Sequence, residues 1–185
     1  MSTHTTTATA VATAWKVDPS HSHVEFAVRH LMIATVKGRF GEVNGVLSGD
    51  ETDLDNASIE LTIPVATIDT RESQRDAHLR SADFFETETF PDIRFRSRRI
   101  AKAGADSFTV DGDLTIRDVT KPIALTVTAG GRAKDPWGGE RVAYSTTAKI
   151  NRKDFGLNWN QALETGGVLV GDEVRISAEL EFVRA

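Results

Sequence analysis

The chain has 185 residues, of which 39% are hydrophobic and 26% are charged, as is usual for one soluble globular domain with a sizeable core. A net charge of −5 and a sequence pI near 5.5 argue against a nucleic-acid partner, because nucleic-acid-binding proteins carry a concentrated basic surface. The absence of cysteine excludes disulfides, thiolate zinc sites and cysteine nucleophiles.

The first 13 residues, MSTHTTTATAVAT, are rich in threonine and alanine and lack the basic and apolar regions of a secretory signal. This composition offers nothing to pack, so residues 1–13 are predicted to be a disordered tail and residues 14–185 a single domain. The longest apolar runs are too short to span a bilayer. We therefore expect a cytoplasmic protein without a transmembrane segment.

Alternation of apolar and polar residues dominates the rest of the chain. It begins in HVEFAVRH (residues 23–30) and continues through ASIELTIPV, SFTVDGDLTIRD, PIALTVTAG and EVRISAELEFV, with TVKGRFGEVNGVLSG, DIRFRSRRI and VAYSTTAKINR as further strand candidates. Glycine- and aspartate-rich turns separate these segments. Eight or more short strands of this kind predict an all-β barrel or sandwich with antiparallel sheets.

One segment departs from the alternation. TRESQRDAHLRSADFF, residues 70–85, has no β-branched residue after Thr70, and its composition is compatible with a helix. Thr70 is predicted to be the N-cap, and Glu72 would lie in the first turn, where the helix dipole favours a carboxylate. We expect a short helix between two strands that covers one end of a barrel.

Three of the five histidines fall within ten residues, at positions 21, 23 and 30. On an extended strand, His21 and His23 share one face and could bind a metal together, whereas His30 points to the opposite face from His23. Two ligands are a minimum, and no carboxylate–histidine spacing adds a third. We favour a structural role for these histidines and retain a metal-dependent hydrolase as an alternative function.

Aromatic side chains concentrate in two places after the predicted helix begins. Phe84 and Phe85 lie at its end, and Phe155, Leu157 and Trp159 alternate in DFGLNWN. A barrel of about eight strands is just wide enough to hold one small ligand. Alternation alone does not distinguish a hollow, ligand-binding barrel from a filled structural barrel that acts through surface partners.

Seven segments, taken in order, resemble the YceI-like family: WKVDPSHSHVEFAVRH, VKGRF, SIELTIPVATIDT, RDAHLRSADFF, FPDIRF, GDLTIRDVTKP and RKDFGL. The resemblance runs from Trp15 to Val183. It implies an extended, eight-stranded antiparallel barrel, lipocalin-like in shape, with a hydrophobic pore that holds a polyisoprenoid or another long amphiphile. It also implies a possible homodimer.

The resemblance therefore implies a non-enzymatic protein that binds, stores or transports a long-chain isoprenoid or fatty amphiphile, such as a polyprenyl quinone or polyprenyl phosphate, without cofactor or metal. An apolar tunnel suffices for affinity, and the polar head group needs partners at the mouth. Candidates for the head group are Arg29, His30, Arg75 and His78, and then Asn158. Predicted pocket residues are Phe26, Val28, Ile59, Leu61, Ile63, Phe84, Phe85, Phe95, Leu125, Val127, Phe155, Leu157 and Trp159.

Overall fold

The computed structural model describes residues 13–49 and 52–185. The predicted N-terminal tail thus lies outside the described residues except for Thr13, whose carbonyl accepts a hydrogen bond from the Gly49 N–H at 2.8 Å. The one α-helix of the described residues is α1 (Ser73–Arg80), and 3-10 helices cover Pro19–His21, Val65–Thr67 and Arg152–Phe155. The strands are β1 (Ala14–Val17), β2 (His23–His30), β3 (Ala34–Phe40), β4 (Asn44–Ser48), β5 (Ser58–Pro64), β6 (Ile68–Asp69), β7 (Asp92–Lys102), β8 (Ser107–Ile116), β9 (Val119–Lys134), β10 (Glu140–Asn151) and β11 (Val170–Arg184).

The eleven segments form a closed antiparallel barrel of eight strands. β1 and β2 pair with successive parts of β11 and act as one strand interrupted by a 3-10 turn. β5 and β6 are likewise one strand interrupted by the 3-10 helix Val65–Thr67, and β3 and β4 are one strand interrupted by residues 41–43. The pairings of β1 with β4, β2 with β3, and β3 with β6 show this continuity. This confirms the predicted fold class, with a short helix between two strands.

The alternation in the sequence matches the inside and outside of the barrel. Along β8, Phe108, Val110, Gly112, Leu114 and Ile116 are buried, and the residues between them are less buried. Since successive side chains of a strand point to opposite faces, one apolar set per strand lies inside the barrel. These inward-facing side chains form the core.

The two ends of the barrel differ. The mouth end consists of the β2–β3 turn, α1, the β8–β9 turn and residues 156–169, and the closed end consists of β1 with the β7–β8 and β9–β10 turns. Towards the closed end, the core is a tight cluster of Trp15, Val24, Val43, Leu47, Val142, Leu180 and Phe182. A second cluster, Val65, Ile93, Leu114, Ile116, Phe155 and Leu157, lies towards the mouth end.

The helix is shorter than predicted, and its cap is different. α1 begins after Glu72, whose carboxylate accepts hydrogen bonds from the N–H groups of Gln74 and Arg75 at 3.0 and 2.6 Å. The prediction of Thr70 as N-cap was wrong, because the Glu72 carboxylate satisfies these first-turn donors while Thr70 bonds to the Asp76 side chain. No described helix is long and apolar enough to cross a membrane.

Candidate functional site

A cavity of about 430 Å³ opens at the mouth end, between the β2–β3 hairpin and α1. We call it the outer chamber. Its volume lies within the range of about 300–1,000 Å³ that small-molecule sites occupy. Its walls are Phe26, Val28, Arg29, His30, Val36, Thr70, Gln74, Arg75, His78, Leu79, Phe84, Trp159, Leu169 and Val170.

A second cavity, the inner chamber, of about 160 Å³, adjoins the outer chamber inside the barrel. The two chambers share the walls formed by Phe26, Val28, Leu79, Phe84 and Val170. The other inner walls are Val24, Glu25, Phe40, Ile63, Phe85, Ile93, Leu114, Ile116, Ile150, Arg152, Leu157, Val174 and Ile176. Because nearly all of these are aliphatic or aromatic, the inner chamber suits a hydrocarbon chain and not a polar solute.

A glycine opposite Phe26 makes room for the aromatic wall between the chambers. Gly38 is the β3 partner of Phe26, and a β-carbon at position 38 would overlap the Phe26 ring. The ring packs 5.7 Å from Phe40, which in turn meets Phe85 at 6.4 Å. This row of aromatic rings runs from the barrel strands to the segment after α1.

Thr70 anchors the helix that covers the mouth. Its N–H and hydroxyl donate to the buried Asp76 carboxylate at 2.9 and 2.6 Å. The Arg75 guanidinium donates to the Thr70 hydroxyl at 2.7 Å and to the Thr70 carbonyl at 2.8 Å. These bonds hold Arg75 at the rim of the outer chamber.

The two arginines that line the outer chamber, Arg29 and Arg75, have neutral partners. The Arg29 guanidinium donates to the Met32 carbonyl at 2.6 Å, and Arg75 binds only the oxygens of Thr70. Among residues 13–49 and 52–185, neither arginine forms an ion pair with a carboxylate. Their charges therefore remain available to an anionic group at the mouth.

His78 has both an aromatic and an acidic neighbour. Its ring meets the rings of Trp159 and Phe84 edge to face, at 4.6 and 5.1 Å between centroids. Its Nε2 lies 2.8 Å from an Asp83 carboxylate oxygen. The imidazole thus joins the helix to Trp159 on the opposite wall of the outer chamber.

Buried Arg152 organises that opposite wall. Its guanidinium, in a side chain that is 4% exposed, donates to the carbonyls of Leu157, Trp159 and Gly171 at 2.5, 2.9 and 2.8 Å. Burial lowers the pKa of the Arg152 guanidinium, and the negative charge of Asp172 raises it. By binding these carbonyls and that of Val170, Arg152 positions two residues of the outer-chamber wall, Trp159 and Val170.

The predicted pocket residues fall in four places. Phe26, Val28, His30, Arg75, His78, Phe84 and Trp159 line the outer chamber, as does Arg29. Ile63, Phe85 and Leu157 line the inner chamber, together with Phe26, Val28 and Phe84. Ile59 and Val127 line a separate space of about 50 Å³ at the closed end, and Leu61, Phe95, Leu125, Phe155 and Asn158 line none of these three spaces.

Phe155 shows why strand alternation failed in DFGLNWN. Residues Arg152–Phe155 form a 3-10 helix that ends at Gly156 with φ 76°, so Phe155 packs into the mouth-side core cluster. Leu157 and Trp159 follow on irregular backbone and face the inner and the outer chamber, respectively. The alternation places these three residues on one strand face, and a local turn separates them.

Several wall residues were missed in the sequence. Leu79 is the one large apolar residue of α1, so a one-sided helix over a barrel could have identified it. Val36 could also have been predicted, because it lies two residues before Gly38 and four before Phe40 and so shares their face of β3. Nothing in the sequence identifies Arg152, because its carbonyl partners converge only in the folded chain.

The histidine pair proposed for a metal does not form. His21 lies in the 3-10 helix Pro19–His21, with its Nδ1 2.9 Å from Asp18, and His23 begins β2 outside this group. Asp18, His21 and Glu181 lie within reach of one another. However, the Arg141 guanidinium bonds the same Asp18 and Glu181 oxygens, so an arginine already supplies the positive charge there.

Comparisons with known proteins agree with this architecture. The YceI-like domain family matches residues 15–182. UPF0312 protein SAS2572 of Staphylococcus aureus strain MSSA476 is 39% identical over 166 residues, which cover 89% of this chain and 94% of that protein. BcnA of Burkholderia cenocepacia has a similar crystal structure, with a TM-score of 0.78 and 24% identity, covering 89% of this chain and 98% of BcnA.

A polyisoprenoid binding domain from Saccharophagus degradans, implicated in plant cell wall breakdown, also shares the fold. Its TM-score is 0.71 at 16% identity, and the match covers 92% of this chain and 98% of that domain. Three observations indicate the same family: the order of the seven sequence segments, the closed eight-stranded barrel and the family match over residues 15–182. The chain belongs to the YceI-like domain family.

Proposed function

We propose that the protein binds a long-chain amphiphile, a polyisoprenoid, in the outer and inner chambers, and stores or transports it without covalent chemistry. The observation that carries this proposal is the pair of adjoining chambers, whose mouth presents Arg29, His30 and Arg75 while the interior is almost wholly apolar. This arrangement matches a molecule with one polar end and one long apolar end.

The hydrophobic effect suffices to hold such a chain. Each Å² of apolar surface removed from water contributes about 25 cal/mol, so burying about 200 Å² of an isoprenoid chain contributes about 5 kcal/mol. The fold shared with the Saccharophagus degradans polyisoprenoid binding domain supports the same ligand class.

The mouth favours a phosphate head group over a quinone. Arg29 and Arg75 donate to neutral oxygens, and a phosphate would add charge-assisted hydrogen bonds to either guanidinium. A polyprenyl phosphate is therefore the specific ligand that we propose.

Native mass spectrometry of the purified protein tests the proposal. We expect a bound species of lipid mass, or uptake of added polyprenyl phosphate in preference to polyprenol. Val28→Trp, which fills the outer chamber, should abolish uptake, and Val46→Trp, at an exposed position on β4, should not. The proposal would be refuted by a folded protein that carries no lipid and binds neither polyprenyl phosphate nor polyprenol. A Val28→Trp variant that still takes up lipid would refute it as well.

A cytoplasmic location and a homodimer remain predictions. Cell fractionation tests the first, and light scattering behind size-exclusion chromatography tests the second. Neither outcome alters the ligand-binding test.

A further inference from the structure

Exposed apolar side chains gather beside the mouth. Among the described residues, five large hydrophobic side chains are exposed, and Met32, Ile33 and Val168 are three of them, at 54%, 79% and 36%. Met32 and Ile33 form the β2–β3 turn, and Val168 lies in the loop before β11. A backbone hydrogen bond of 2.9 Å from Leu31 to Leu169 joins the two loops. We call Met32, Ile33 and Val168 the mouth rim.

The mouth rim is continuous with the outer chamber and has a cationic base. His30 and Leu169, which flank the two rim loops, both line the chamber. The Arg29 guanidinium, which has no carboxylate partner among the described residues, donates to the Met32 carbonyl. Apolar side chains above basic ones are typical of proteins that lie on anionic bilayers, where the apolar groups enter the boundary between head groups and acyl chains.

The turn keeps its apolar side chains at a conformational cost. Leu31 and Met32 adopt φ values of 52° and 61°, in the left-handed region that glycine or asparagine occupies more readily. A tight turn on the surface would normally carry such polar or glycine residues. Here two strained positions precede Ile33, the second most exposed large hydrophobic residue described.

A bilayer fits this surface better than a second copy of the chain does. A symmetric contact through the mouth rim would bring the two mouths, each with Arg29 and Arg75, against each other. Like charges at an interface are destabilising, whereas anionic lipid head groups would neutralise both arginines.

We propose that the mouth rim docks on the surface of an anionic bilayer, with the opening of the outer chamber facing the lipid. The purpose of docking, loading the amphiphile from the membrane, rests on the proposed function. Binding to the bilayer itself does not.

Vesicle flotation of the full chain tests the docking surface. We expect partition onto vesicles that contain phosphatidylglycerol, with weaker binding to vesicles of phosphatidylcholine alone and at high salt. The double variant Met32→Ser/Ile33→Ser should lower the partition coefficient at least about tenfold, because two apolar side chains no longer enter the lipid. The matched control is Trp137→Ser, which removes an 88% exposed side chain at the closed end and should leave partition unchanged.

Three results would overturn the proposal. They are no binding of the wild-type protein to either vesicle, an equal loss of vesicle partition in Trp137→Ser, or conversion of a dimer to a monomer by the double variant without vesicles.

Native mass spectrometry of the same double variant separates this proposal from the proposed function. Retained polyisoprenoid with lost vesicle binding supports docking through the rim. Rim-dependent vesicle binding by a protein that takes up no polyisoprenoid supports docking while the proposed function fails.

Discussion

The closed end and the mouth end of the barrel differ in the burial of their aromatic side chains and in the partners of their arginines. At the closed end, Trp15 and Phe182 are 2% and 0% exposed, and the Arg141 guanidinium bonds Asp18, Asp135 and Glu181. At the mouth end, Phe26 borders open space, and Arg29 and Arg75 bind only neutral oxygens. The closed end also borders a half-polar space of about 540 Å³ beside Phe108, Val142 and Tyr144. The clearest difference between the ends is therefore that carboxylates neutralise Arg141, whereas Arg29 and Arg75 have only neutral partners among the described residues.

Backbone strain follows the same division. All five described non-glycine residues with positive φ lie at the mouth end: Leu31, Met32, Arg71, Glu86 and Arg117. Positive φ in the turns of the closed end falls on glycines, such as Gly49 and Gly138. Strained backbone conformations often cluster at functional sites, where the surrounding structure maintains them. Their position at the mouth end therefore agrees with the candidate site there.

The largest expected effect comes from truncating a buried aromatic side chain at the closed end. Phe182→Ala should lower the free energy of unfolding by about 4 kcal/mol, because it leaves a cavity in a fully packed core. Phe26→Ala, the matched change beside the chambers, should cost about half as much, since that ring already borders empty space. Urea unfolding measures both, and equal costs would contradict the contrast between the ends.

Removing the buried arginine should damage the mouth wall. Arg152→Met leaves the carbonyls of Leu157, Trp159 and Gly171 without their donor, so we expect a loss of about 3 kcal/mol in unfolding free energy. Lipid uptake should fall as well. Lys153→Met removes only an exposed ion pair with Asp172 and should change stability by less than about 0.5 kcal/mol. If the two variants unfold alike, Arg152 does not position the wall.

Acid should weaken the closed end. Hydrogen bonds from the Arg141 guanidinium and from His21 hold the pKa of the Asp18 carboxyl well below its usual range. A lowered folded-state pKa contributes stability that is complete above the unfolded pKa of about 3.9 and is lost as the pH falls further.

Asp18→Asn should therefore lower Tm by several degrees at neutral pH. The difference in Tm between the variant and the wild type should decrease progressively below about pH 4. Thermal melts across this range measure the difference. Asp113→Asn, at an exposed ion pair with Arg98, is the control and should have little effect at neutral pH. A difference for Asp18→Asn that stays constant with pH would show that its carboxylate charge is not the cause.

The smallest effect concerns strain at the mouth. Met32→Gly should raise the unfolding free energy by about 0.5 kcal/mol, because relief of the left-handed conformation slightly exceeds the entropy cost of glycine. Denaturant melts measure the change. A stability loss would show that the Met32 side chain contributes packing that outweighs the strain.

Local patterns predicted the barrel well because each strand carries its own inside and outside. Val24, Phe26 and Val28 alternate in β2, and they face the core or the chambers. Patterns failed where short polar contacts decide the backbone: Glu72 caps α1 in place of Thr70, and Gly156 ends a 3-10 helix within DFGLNWN. Such choices depend on competition between nearby acceptors, which alternation does not describe.

By itself, the sequence determined the family, the antiparallel barrel and the presence of a helix over one end, because period-two alternation and ordered motifs are local properties of the chain. Only the tertiary structure decided where inside the barrel the two adjoining chambers open. Ile59 and Phe26 have the same alternating pattern, yet one lines a small space at the closed end and the other lines both chambers. That difference depends on which distant side chains meet inside the barrel, and it arises only when the strands close.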